Sequence, residues 1–168
     1  MIYLDSAATT LQKPPQVSRA VAYAINNYAS AGRGGHAPAM KAADVMLECR
    51  EAAAALFNVD NPENITFTQN ATHGLNIAIK SLVKPGGRAV ISGFEHNAVV
   101  RPLHAIGAEI AVAGDVLFDE EKCVKDFERE LSRGVDAAVI NHVSNVFGYI
   151  QPVERVAELC RFYKVPLV

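Results

Sequence analysis

Residues 65–100 read ITFTQNATHGLNIAIKSLVKPGGRAVISGFEHNAVV. The run ITFT (65–68) is short, apolar and β-prone, and it ends in the polar cluster Gln69-Asn70-Ala71-Thr72. A stretch of helical period follows over 72–83. Then RAVIS (88–92) repeats the short apolar pattern and ends in Gly93-Phe94-Glu95-His96-Asn97, before another helical stretch over 98–106. Strand, polar cluster and helix, twice in succession, is the signature of an α/β fold with a mainly parallel sheet flanked by helices.

Working outward, EIAVA (109–113), DAAVIN (136–141) and VPLV (165–168) read as further strands, with helices predicted over 119–132 and 152–163. Upstream, prolines open a helix over 14–29, and an alanine-rich helix is predicted over 38–57. Lys41, Asp44, Glu48 and Glu51 recur at helical spacing and mark the wet face of that second helix. The expected organisation is a helical segment over 1–60 followed by an α/β domain over 61–168. VPLV begins a buried strand at the very end of the sequence, so the domain is expected to be incomplete, a larger one cut short.

At 168 residues the chain is long enough for a sizeable core without disulfide or metal staples. A formal charge of -2 argues against nucleic-acid or anionic-membrane binding, and half apolar content argues against disorder. The amino terminus lacks the pattern of a secretory signal, and a cytoplasmic globular protein is the expectation. Cys49, Cys123 and Cys160 have neither disulfide nor zinc spacing. Cys49 and Cys160 share apolar stripes with neighbours at helical spacing and are expected in the core. Cys123 is expected to be partly exposed.

In parallel α/β sheets ligands bind beyond the carboxyl ends of the strands. Three polar clusters fall there: residues 69–72, residues 93–97, and Asn141-His142-Val143-Ser144-Asn145. The first opens a helix, whose free N–H groups and positive dipole end favour an anion; Asn70 or Thr72 acting simply as a cap is the alternative. His96 sits where it can lie over a planar ligand or move a proton, or serve as a hydrogen-bonded loop residue. Asn145 precedes Gly148 and fits a turn equally well. There is no dinucleotide, P-loop or GxSxG motif and no metal-ligand spacing.

Five pieces, YLDSAATT (3–10), RGGH (33–36), FTQNATHGLNIAI (67–79), EHNAVVRPL (95–103) and HVSNVFGYIQP (142–152), together resemble the class V aminotransferase group of pyridoxal-phosphate enzymes, in its cysteine desulfurase and selenocysteine lyase branch. The resemblance implies the amino-terminal part of a fold-type I large domain, with pyridoxal 5'-phosphate as cofactor of the full-length protein. It implies that Ala71 and Thr72 bind the cofactor phosphate. His96 is implied to stack on the ring and to act catalytically in proton transfer, and Asn145 to contact both the cofactor's phenolic oxygen and the substrate. Ala7 and His36 are implied to approach the substrate.

The implied reaction takes L-cysteine to L-alanine and leaves sulfur on an enzyme cysteine as a persulfide. An amino-acid substrate, a sulfur-acceptor protein, a homodimer and a place in sulfur metabolism and iron–sulfur cluster assembly go with it. The family's Schiff-base lysine and nucleophilic cysteine have no counterpart among the seven lysines and three cysteines here, so the 168 residues alone are expected to be inactive. A transaminase or another lyase of the same group, and a non-catalytic binding module, are the competing readings.

Overall fold

A computed structural model describes residues 2–4, 6 and 9–168. The chain divides into two compact units, Met1–Phe67 and Thr68–Val168.

The first unit holds two helices. α1 (Pro15–Asn27) begins on a proline whose missing N–H costs nothing at a helix start. α2 (Ala37–Phe57) buries Ala39, Ala42 and Ala54 and ends on Asn58 in the left-handed conformation, φ 54°. A 3-10 turn, Pro62–Asn64, closes the unit, with the Asn61 side chain accepting the Glu63 N–H.

In the second unit, α3 (Ala71–Leu82), β1 (Arg88–Ser92), α4 (Asn97–Ala105), β2 (Glu109–Ala113), α5 (Glu120–Ser132), β3 (Ala137–Val139) and α6 (Val153–Tyr163) follow in order. The sheet is parallel with order β2-β1-β3. Successive β1 side chains point to opposite faces, which sorts the core into two layers. Ala89 and Ile91 join Ala137, Val139, Ile79, Val83, Val99 and Leu103 on the face of α3 and α4. Val90 joins Ala138, Phe127, Leu131, Val156 and Cys160 on the face of α5 and α6. β1 is thus apolar on both sides, as a central parallel strand must be.

VPLV lies beside β3: Leu167 bridges Ala138 in parallel, and the Val168 N–H donates to the Ala138 carbonyl at 2.9 Å. ITFT differs from its prediction as a strand. Residues 65–68 join no ladder among the described residues, and Phe67 is 56% exposed, because a β-prone run without a neighbour to exchange hydrogen bonds with stays a connector. DAAVIN contracts to the three residues that pair with β1.

Two cysteines also depart from expectation. Cys49 is exposed: it lies two turns beyond buried Ala42 on the same side of α2, on a stretch that its neighbours leave uncovered. Cys123 is fully buried, because α5 turns it toward Gly114, Phe127 and Val156. Cys160 is buried as expected.

Candidate functional site

β1 runs to β2 on one side through α4, and the chain then crosses to place β3 on the other side. The helices after β1 and β3 lie on opposite faces of the sheet. The crevice beyond the carboxyl ends of these two strands is therefore a topological switch point, where such sheets take their ligands. Residues 93–97 enter it from β1 and residues 140–145 from β3.

On the α3 side a cleft of about 270 Å³ is lined by Thr72, Asn76, His96, Asn97, Arg101 and Pro102, among others. Asn70 caps α3: its Oδ1 accepts the His73 N–H at 2.8 Å and its backbone oxygen accepts the Gly74 N–H. Capping therefore consumes the third-residue amide and leaves those of Ala71 and Thr72, in the first turn, without a protein acceptor among the described residues. The capping expectation is met by Asn70, and its cap bond does not use the amides of Ala71 and Thr72.

His96 is the exposed N-cap of α4, and its Nδ1 accepts the Ala98 N–H at 3.1 Å. In the neutral ring that bond fixes the proton on Nε2, leaving an outward donor. Among the described residues, Arg101 contributes the one lysine or arginine side chain of the cleft.

Residues 142–151 form a small hairpin. Val143 bridges Ile150 in antiparallel sense, Gln151 N–H donates to the His142 carbonyl, and Ser144 Oγ accepts from the Val146 and Phe147 amides. Asn145 sits exposed at its tip, not among the residues lining the cleft. His36 belongs to the first unit, where it precedes α2 and its carbonyl accepts the Ala39 and Met40 amides. Ala7 lies outside the described residues.

Sequence reasoning missed the polar floor of the crevice. Glu95 Oε1 accepts the Ser92 hydroxyl at 2.6 Å and the Asn141 N–H at 2.7 Å. Gln151 Nε2 donates to Ser92 Oγ at 3.1 Å and to the Asn141 carbonyl at 2.9 Å. Burial pushes the Glu95 carboxyl above its usual range, against the pull of the Ser92 and Asn141 donors. A carboxylate set directly after an apolar strand was the available signal.

The thiols near the sheet are poorly suited to attack. Burial pushes the Cys123 thiol up to about 11, and burial raises that of Cys160 as well.

The family model described as aminotransferase class-V matches residues 2–168. A probable cysteine desulfurase of Synechocystis sp. is 30% identical over 95% of the chain and 40% of its own length. One of Pseudomonas aeruginosa is 30% identical over 96% of the chain and 42% of its own length. Among solved structures, the apo cysteine desulfurase of Thermococcus onnurineus NA1 superposes with a TM-score of 0.84 at 25% identity, over 99% of the chain and 42% of that protein. SspA in complex with cysteine shares the fold, with a TM-score of 0.81 at 23% identity over 96% of the chain and 47% of its own. The chain spans about two-fifths of the length of these curated relatives. With a match that runs from residue 2 to residue 168, over both units, the chain belongs to the aminotransferase class-V family.

Proposed function

We propose that this chain provides the phosphate-holding and ring-facing part of a pyridoxal-phosphate-dependent cysteine desulfurase. The whole protein would take L-cysteine and an enzyme thiol to L-alanine and an enzyme persulfide. The observation that carries this reading is the cleft itself. Thr72 and His96 line one cavity, and the first-turn amides of Ala71 and Thr72 have no protein acceptor among the described residues, which leaves them for a dianion. A helix start of this kind favours a phosphate by about 0.3–1 kcal/mol per charge interaction, and the Thr72 hydroxyl adds a donor. The curated relatives quoted above carry the desulfurase name, which supports the substrate.

When bound, pyridoxal phosphate supplies an electron sink for the bonds around the amino-acid α-carbon. Ala71 and Thr72 anchor the phosphate. His96, held by its bond to the Ala98 amide, would stack on the ring and offer Nε2 to a proton in transit. Asn145, on the hairpin tip, would contact the phenolic oxygen and the substrate, and Ala7 and His36 are the further substrate-binding residues of this reading.

Among the described residues no lysine lines the cleft and the two thiols near the sheet are buried, which supports a Schiff-base lysine and a sulfur-accepting cysteine supplied by another part of the whole protein. By itself the chain turns nothing over. In the whole protein the pairing is a homodimer, the sulfur passes to an acceptor protein, and iron–sulfur cluster assembly is one use of it. Residues 1–60 form a helical segment and residues 61–168 the beginning of the large domain.

The test is the complete protein, loaded with pyridoxal phosphate and given L-cysteine and a reductant. Equal amounts of alanine and sulfide are expected, with none from the 168-residue chain. Amino transfer to a keto acid without sulfide would reject the reading.

A further inference from the structure

The carboxylate of Glu95 stands next to His96 in sequence and reaches across the switch point to the strand that leads to Asn145. One oxygen, Oε1, receives both the Ser92 hydroxyl, from the end of β1, and the Asn141 N–H, from the end of β3. Each loop makes a return contact. Asn141 Nδ2 donates to the Phe94 carbonyl at 2.8 Å, and Gln151, at the far foot of the hairpin, donates to Ser92 Oγ. The Phe94 ring packs edge-on against Phe147 and Tyr149 of the hairpin at 5.9 Å and 5.5 Å.

Glu95 forms no ion pair among the described residues. A half-buried carboxylate without a cation is a poor stabiliser, because the part of its desolvation it suffers goes uncompensated by a charge. What it does provide is an acceptor with two lone pairs, placed where one amide from β3 and one hydroxyl from β1 converge. An apolar side chain there would leave both donors unsatisfied and the two loops free to shift.

We propose that Glu95 is a positioning residue. Its Oε1 locks the turn carrying His96 to the hairpin carrying Asn145, so that both reach a bound cofactor in fixed register. This rests on the roles given above to His96 and Asn145. Its action is through acceptance of hydrogen bonds, so a neutral residue of the same shape replaces it, and a shortened one does not.

The test uses the complete protein with Glu95→Gln, Glu95→Ala and Glu95→Asp, read by amide hydrogen exchange and by pyridoxal phosphate titration. Gln keeps the oxygen in place, so E95Q is expected to retain slow exchange at the Asn141 amide and a cofactor dissociation constant within about 2-fold of wild type. In E95A the Asn141 amide exchanges about 10-fold faster or more, and the dissociation constant rises about 10-fold, the effect of one lost orienting hydrogen bond. E95D, one methylene short, behaves as E95A and supplies the same readout if E95A does not fold. Wild-type behaviour in E95A or E95D overturns the proposal, as does E95Q failing as badly as E95A. A general structural role is distinguished by rescue in E95Q and by exchange that changes at Asn141 and not throughout the sheet. Should the wild-type protein take up no pyridoxal phosphate, the functional reading fails, and the exchange data decide the coupling of the two loops by themselves.

Discussion

Asn70 holds the His73 amide at 2.8 Å, and by doing so it organises the first turn of α3 without occupying the amides that precede it. Helix capping and anion binding are therefore divided between neighbours. Replacing Asn70 with Ala is expected to cost about 1 kcal/mol in urea unfolding. Asn70→Asp, which keeps the acceptor oxygen, is expected to preserve stability yet weaken phosphate binding by placing a like charge beside it. Unchanged unfolding in Asn70→Ala would show that the cap contributes nothing.

Gly114 at the end of β2 has φ +61°, and a Cβ there would lie 2.6 Å from Cys123 Sγ and 3.0 Å from its Cα. Gly114→Ala combines left-handed strain with overpacking, and a loss of roughly 3 kcal/mol is expected in thermal or urea unfolding. Trimming the sulfur in Gly114→Ala/Cys123→Ala relieves the clash with Sγ but not the φ strain, so the double variant should cost less than the two single losses added. Simple additivity would contradict the contact.

Glu130, with a side chain 7% exposed, is bridged by Arg129 and by Arg88, at 2.9 Å and 2.6 Å. Those hydrogen bonds hold its carboxyl down at about 2, from an ordinary 4.5. A depressed carboxyl stabilises the fold fully above its unfolded value and loses that contribution as pH falls through 4.5 toward 2. Glu130→Gln should destabilise the chain by roughly 3 kcal/mol at neutral pH, and the difference should shrink steadily over that acid window. A gap between variant and wild type that stays constant from pH 7 to about pH 2 would count against the ion pair.

The three thiols offer a chemical test of the packing. Cys49 is exposed while Cys123 and Cys160 are buried, with both buried thiols raised. An aromatic disulfide reagent at neutral pH should titrate one thiol quickly in the native chain and three after denaturation. Two fast thiols would mean that α5 or α6 opens readily.

Much of this structure is legible in the sequence, for a reason particular to its elements. The six helices carry their own start signals and apolar periods, so α3 and α6 appear within a residue of their predicted bounds. RAVIS and EIAVA are likewise self-announcing. ITFT is not: strand character depends on a neighbouring chain, and none pairs with residues 65–68. Cys49 misleads for a related reason, since a helical stripe shows which residues align but not whether anything covers them.

Of the candidate residues, His96 lies in the turn after β1, where the strand-end rule looks, whereas Ala71 and Thr72 follow the unpaired run 65–68 and are legible only as a helix start. Glu95 falls in the same cluster as His96, but its bond to Asn141 escapes the rule, as Gln151 does, because the partners lie 46 and 59 residues away along the chain. The crossing of β3 past β1 creates those contacts, and local pattern carries no trace of it.

A crystal structure of the complete protein grown with pyridoxal phosphate addresses the main claim without intermediaries. The phosphate should lie within hydrogen-bonding distance of the Ala71 and Thr72 amides, with the His96 imidazole over the ring. A phosphate seated anywhere else, or a protein that takes up no cofactor at all, would contradict it.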